Sequence, residues 1–260
     1  MELGLKGKIA LVTGSSRGIG RGIALALADE GCDLLLTGRD AQALEAVAQS
    51  IRDKGRKAAA RALDLCEPHA AEILVQGVRR EFGGLDILVN NAGATKRGDF
   101  FELTEADWEA GYELKLFAHV RLTRAAWPLL KERRGALVAI AGTSGRKPDK
   151  RFTIGSSVNA AVAAFTKCLA DLGKEDGVRV NCIHPSLVET ERQWRRIRAE
   201  VERTGQPEAN IRAQFCRETG IIRYGKVEDV ADFVTFIVSS RATWLHGATL
   251  DLDGGEIPVL

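Results

Sequence analysis

The feature that most constrains this chain is a glycine cluster placed directly after its first apolar run. Thr13-Gly14-Ser15-Ser16-Arg17-Gly18-Ile19-Gly20 joins the run Lys8–Thr13 to an amphipathic stretch near 18–30. Glycines let a backbone turn sharply and approach a pyrophosphate closely. The helix that follows offers unpaired N–H groups and the positive end of its dipole. A glycine cluster alone also makes an ordinary tight turn. A strand before it, a helix after it and its place at the start of an alternating pattern favour a dinucleotide site.

The alternation continues along the chain. Strand-like runs are expected at 8–13, 33–37, 57–64, 87–89, 136–141, 179–184 and 248–251, with helical stretches near 18–30, 41–54, 68–82, 105–132, 153–174 and 227–239. Apolar strands alternating with helices imply right-handed βαβ units and a parallel sheet covered on both faces. The expected fold is α/β: a single Rossmann-type, doubly wound domain spanning 1–260, with about seven strands. The segment near 189–223 departs from the alternation. It is helical, rich in arginine, and follows the sixth strand, where such a sheet opens its ligand crevice.

The 260 residues are 45% hydrophobic and 28% charged, enough for one domain with a sizeable core. A formal net charge of +2 gives no general attraction to nucleic acid or to an anionic membrane. The five cysteines are scattered and lack CxxC spacing, which reads as buried thiols in a reducing cytosol and an expected cytoplasmic location. No metal-ligand spacing, leader pattern or bilayer-length apolar run is evident.

The TGxxxGxG loop, together with Asn90-Asn91-Ala92-Gly93 after the fourth strand, resembles the short-chain dehydrogenase/reductase family. Further matches follow in family order across nearly the whole chain. The resemblance implies strand order 3-2-1-4-5-6-7 and a nicotinamide cofactor. It assigns Gly14, Ser16, Arg17, Gly18, Ile19 and Gly20 to the pyrophosphate loop and Asp64-Leu65 to the adenine ring. It places Asn91, Ala92 and Gly93 on the cleft floor, and Pro185 and Thr190 beside the nicotinamide. Family members are commonly tetramers or dimers built on the helices expected at 105–132 and 153–174, so a homotetramer or homodimer is expected.

NAD enzymes of this architecture usually carry an acid at the end of the second strand, on the ribose 2′-OH. This chain has Thr37-Gly38-Arg39-Asp40 there, and Arg17 can reach the same corner. Two guanidinium groups around one phosphate suit NADP(H) over NAD(H). Asp40 argues mildly for NAD.

The resemblance also implies a Tyr and a Lys four residues apart, a Ser and an Asn. An ungapped reading from Ala160-Ala161-Val162 puts Gly155 at the Tyr position, Asn159 at the Lys position and Gly142 at the Ser position. Counting from Trp108 puts Lys115 at the Asn position. Two readings follow. In one, the site is rebuilt: Lys115 returns a cation to the pocket, Thr143, Ser144 and Ser156 can polarise a carbonyl, and the glycines leave room for a larger substrate or a water. In the other, the site is inactive and the fold serves cofactor binding or scaffolding. Phe152, three residues before Gly155, carries no proton and cannot serve as the acid. Residues 191–223 hold eight arginines against five glutamates; such alternation usually marks a solvated helix face, and the alternative is a lid over an acidic small-molecule substrate.

Overall fold

The computed structural model describes residues 2–258. Its strands are β1 (Ile9–Thr13), β2 (Asp33–Gly38), β3 (Ala58–Ala62), β4 (Ile87–Asn90), β5 (Ala136–Ile140), β6 (Arg179–Pro185) and β7 (Thr249–Leu252). They form one parallel sheet in the order β3-β2-β1-β4-β5-β6-β7, as the resemblance implied. The helices are α1 (Gly18–Asp29), α2 (Ala41–Asp53), α3 (Ala70–Phe82), α4 (Glu105–Tyr112), α5 (Ala118–Arg133), α6 (Thr153–Asp176), α7 (Glu191–Thr204), α8 (Glu208–Thr219) and α9 (Val227–Val238).

Strand periodicity sorts the core into two layers. Val12, Leu34, Leu36 and Ile183 turn to one face and pack on Ile23 and Leu27 of α1, Val47 of α2 and Val234 of α9. Leu11, Leu35, Leu88 and Val180 turn to the other and pack on Leu74 of α3 and Leu122 and Ala126 of α5. Runs with no polar alternation are what a sheet buried on both faces requires.

Three local expectations are corrected. β3 is five residues long rather than eight, so Asp64 and Leu65 lie on the loop beyond the strand. The helix expected from 68 starts at Ala70, because Pro68 precedes it and His69 is held left-handed at φ 67°. The long helix expected over 105–132 is interrupted. Between α4 and α5, Glu113–Phe117 forms a π turn in which the Ala118 N–H donates to the Glu113 carbonyl, five residues back. A π turn inserts an extra residue per turn and rotates what it carries, and such turns recur at functional sites.

Arg179, the first residue of β6, closes the end of α9. Its guanidinium donates to the carbonyls of Ile237, Val238, Ser239 and Ala242 at 2.7–3.2 Å. The carbonyls of Ile237 and Val238 belong to the last turn of α9 and have no onward helical partner, those of Ser239 and Ala242 also accept backbone N–H groups of the turn that follows, and the cation answers the negative dipole end. Arg179→Met is expected to lower the unfolding free energy by about 2–3 kcal/mol, from the usual worth of hydrogen bonds to a charged group. Urea denaturation monitored by circular dichroism would check it.

Candidate cofactor cleft and active site

The candidate cleft lies at the carboxyl ends of β1 and β4, the switch point from which the chain leaves to opposite faces of the sheet. Gly14 and Gly18 hold φ of 63° and 54°, which L side chains resist. A Cβ on Gly20 would fall 2.3 Å from the Gly14 carbonyl oxygen, so only glycine lets α1 start this close to the loop. Arg17 occupies the N-cap without capping, which leaves first-turn N–H groups of α1 free for an anion. Ser16 and Ile19 are partly buried along the same loop, and Arg17 is exposed.

The floor is tied to this loop by Thr13. Its hydroxyl accepts from the N–H groups of Asn91 and Ala92 at 2.9 Å each and donates to Val89 O at 3.2 Å. The Asn91 amide returns the contact by donating to Thr13 O at 2.8 Å and Gly14 O at 3.3 Å. His119, fully buried, bonds Ala92 O through Nε2 at 2.9 Å, and burial drops its pKa to about 4, so it is neutral. At the far side Thr190 caps α7 and its methyl packs on Gly18, while Pro185 ends β6 buried.

At the end of β2, Arg39 is exposed and its guanidinium stands 3.8 Å from the Asp64 carboxylate. Asp64 also accepts from Cys66 N–H, and Leu65 beside it is buried. Asp40 caps α2, accepting from Ala43 N–H at 3.0 Å. One of its carboxylate oxygens serves as the cap of that helix.

The π turn delivers Lys115 to the opposite end of the cleft. Its stem runs along Gly93, where an added Cβ would fall 3.0 Å from Cδ, and its amine donates to Ala141 O at 3.1 Å. Burial first, and Arg192 second, lower its pKa to about 8. Asn159 of α6 comes to the same turn from the other side: its Nδ2 would lie 3.1 Å from a Cβ on Gly142 and donates to the Ser144 hydroxyl at 2.9 Å. Its Oδ1 is buried with no partner. The Gly142 carbonyl accepts from His184 Nδ1 at 2.7 Å. Lys115, Thr143, Ser144 and Asn159 therefore gather around the turn after β5. Ser156 is directed elsewhere: its hydroxyl accepts from Asp149 N–H at 3.2 Å and holds the 149–152 loop.

The room expected at Gly155 is not open. The Phe152 ring fills it: a Cβ on Gly155 would fall 2.2 Å from two ring carbons. Phe152 leads into α6 with φ −139° and ψ 43°, which folds the ring back over the first turn. Arg97 stacks on the ring, 4.3 Å from its centroid, and pairs with Asp149.

The arginine-rich segment divides between the two readings given for it. Arg198, Arg203, Arg212 and Arg223 pair with Glu191, Glu200, Glu189 and Asp229. Arg212 also lies against Trp194 and Tyr224 and ties α7 to α8. Arg192, Arg195, Arg196 and Arg217 have no carboxylate within 4.0 Å among the described residues. Of these, Arg192 reaches across the cleft and donates to Gly93 O at 3.3 Å.

A doubly wound sheet with a glycine loop on α1 and a cleft at its switch point defines a dinucleotide-binding class. Comparison narrows that class. The family model described as short chain dehydrogenase matches residues 8–200, and the chain belongs to this family of oxidoreductases. It is 30% identical over 253 residues to the 2,3-dihydro-2,3-dihydroxybenzoate dehydrogenase of Bacillus subtilis, covering 97% of each chain. It is 32% identical over 257 residues to the 3-oxoacyl-[acyl-carrier-protein] reductase FabG of Vibrio cholerae, covering 97% of this chain and 98% of that one. Its fold superposes on L-sorbose reductase from Gluconobacter frateurii, solved with NADPH and L-sorbose, with a TM-score of 0.96, 34% identity and full coverage of both chains.

Sequence reasoning missed the filling role of Phe152, the reach of Arg192 and the supports Thr13, His119 and His184. Only Thr13 carried a signal, as the residue immediately before the glycine loop. If the ring fills the place beside Gly155, then Gly155→Ala overpacks it. A loss of about 1–3 kcal/mol is expected. Adding Phe152→Ala should abolish most of that penalty, giving a coupling term in a double-mutant unfolding cycle.

Proposed function

We propose that this protein is an NADP(H)-dependent oxidoreductase acting on a carbonyl or alcohol, with Lys115 as proton donor in a non-standard catalytic set. The observation that carries the reading is the placement of an amine with pKa about 8 at the turn of Ala141 and Gly142. A general acid works best when its pKa lies near the working pH. An inactive cofactor-binding or scaffolding protein is the second reading, and turnover decides between them.

The residues present suit the cofactor. The glycine cradle would be filled by any Cβ at residue 20, and the first turn of α1 offers free donors. The buried, unpartnered Oδ1 of Asn159 needs a donor, which a ribose hydroxyl provides. Gly14, Ser16, Gly18, Ile19 and Gly20 would hold the pyrophosphate, and Arg17 with Arg39 the 2′-phosphate. Asp64 and Leu65 would border the adenine. Asn91, Ala92, Gly93, Pro185 and Thr190 would border the nicotinamide. Asp40 as a helix cap weakens the argument for NAD, which favours NADP(H). When bound, NADPH supplies the hydride. Lys115 gives its proton to the substrate oxygen, Thr143 and Ser144 flank that oxygen, and α7 with α8 covers the substrate. Ser156 belongs to the set as a support of the 149–152 loop.

The exposed Phe117 and Leu172 on the two long helical stretches support a homodimer or homotetramer. The five free cysteines suit a reducing, cytoplasmic setting. No helix of the described residues is long and apolar enough to cross a membrane, and no metal-holding cluster occurs among them. The net charge of +2 supports no nucleic-acid partner.

Lys115→Met should cut kcat by about 10²–10⁴, the usual worth of a positioned general acid, while NADPH binding persists. The donor must be protonated for reduction. The wild-type rate should hold level below about 8 and fall as pH rises through that value. Unchanged turnover in the variant would remove Lys115 from the mechanism.

Calorimetric titration tests the cofactor corner. NADPH should bind at least tenfold more tightly than NADH, about 1.4 kcal/mol. The double change Arg17→Ser and Arg39→Ser should erase that gap by weakening NADPH alone. Binding of neither cofactor would end the oxidoreductase reading.

A further inference from the structure

A lysine becomes a nucleophile when it is withdrawn from water, placed beside another cation and denied a carboxylate. Lys115 is half-buried, stands near a second cation and has no carboxylate partner among the described residues. Its recorded hydrogen bond goes to a neutral carbonyl, Ala141 O, at 3.1 Å. Among the described residues no carboxylate lies within 4.0 Å of its amine. Arg192 comes down from α7 to bond Gly93 O at 3.3 Å, and Gly93 is the residue along which the Lys115 stem lies. Arg192 likewise has no carboxylate partner, so two cations share one end of the cleft without a counter-ion. Gly142, next to Ala141, contributes no side chain there. The depressed pKa of about 8 agrees with this geometry and leaves a useful neutral fraction near pH 7.

We propose that Lys115 condenses with an oxo acid to form an imine, with Arg192 holding the substrate carboxylate. The amine lone pair attacks the carbonyl carbon and the carbonyl π pair moves to oxygen, giving a carbinolamine. Loss of water then takes that oxygen and both amine hydrogens and leaves the C=N bond. No oxidant or reductant is needed. Protonation of the imine makes it an electron sink for a neighbouring bond, so an α-proton, or carbon dioxide from a 3-oxo acid, can depart and leave its electron pair behind. This is non-redox chemistry of the same amine. It rests on the placement of Lys115 in the cleft and not on hydride transfer.

The test uses the full-length protein at pH 7, with and without NADPH. Glyoxylate is the probe, acetaldehyde the neutral comparison, and added cyanoborohydride traps any imine as a secondary amine. Peptide mapping by mass spectrometry reads each lysine. Lys115 should be modified ahead of the exposed Lys131 and Lys174. Its preference for glyoxylate over acetaldehyde, normalised to those two, should be about tenfold, the scale of one charge-assisted carboxylate contact. Arg192→Gln should lose that preference while keeping the modification. Lys115→Arg, checked for fold by circular dichroism, should lose the cleft label alone. Modification of Lys115 no faster than of Lys131 and Lys174 would overturn the proposal, and a glyoxylate preference untouched in Arg192→Gln would overturn the part given to Arg192. NADPH calorimetry on the same samples keeps the two readings apart. Loss of cofactor binding would count against the oxidoreductase and leave the labelling result standing.

Discussion

One hydroxyl sets the geometry on which the cleft depends. Thr13 ends β1, is fully buried, and spends its Oγ on Val89 O within β4 and on the N–H groups of Asn91 and Ala92 just beyond it. The chain leaves β1 toward α1 on one face and β4 toward α5 on the other, so the backbone groups between the two loops need a side-chain partner. The Asn91 amide completes the bridge from the other side. With that edge fixed, the glycine loop, the floor at Ala92 and Gly93, and the lysine lying along Gly93 acquire defined positions. A serine at 13 could make the same bonds. A valine, though similar in shape, would leave the Asn91 and Ala92 donors buried without partners, at a cost of about 1–3 kcal/mol each.

The site beyond that floor does not look like one worn down by loss. A large side chain removed from a packed interior leaves a cavity whose lining has lost its contacts. Here the space beside Gly155 is filled by Phe152, and that ring is covered by Arg97, itself paired with Asp149. Lys115 and Asn159 approach the turn after β5 from two helices. On the proposed alignment they exchange the amine and the amide between the two positions. An exchange keeps a cation in the cleft while moving it to the β4 side, where the π turn presents it. Under the proposed alignment, the filled space beside Gly155 and the amine supplied by Lys115 are what support the proposed function.

What the sequence made legible follows from how far each signal reaches. The sheet, its order and the glycine loop rest on patterns within a few residues, and these could be read directly. The break at 113–117 could not, because α4 buries only Gly111 and offers no apolar stripe against which a shift of one residue would show. Phe152 was visible but its role was not: filling the space of Gly155 depends on the backbone entering α6, which no spacing rule predicts. Among eight arginines in the segment 191–223, only geometry separates Arg212, spent on Trp194, Tyr224 and Glu189, from Arg192, spent on Gly93. Asp40 shows the same limit, since one carboxylate can serve a ribose or a helix cap and the sequence permits both.

The distribution of charge gives the cleft its bias. Pairing with carboxylates neutralises Arg198, Arg203, Arg212 and Arg223 in the segment after β6, so they add little field. Arg192, with Arg17 on the glycine loop and Lys115 at the turn after β5, puts cations along the cleft. A dinucleotide phosphate accounts for the first part of that field. Lys115 and Arg192, bonded to Ala141 O and Gly93 O, carry the rest of that field and have no carboxylate partner among the described residues. That residual charge is the strongest physical reason to expect a substrate bearing a carboxylate, whether the amine acts on it as an acid or as a nucleophile.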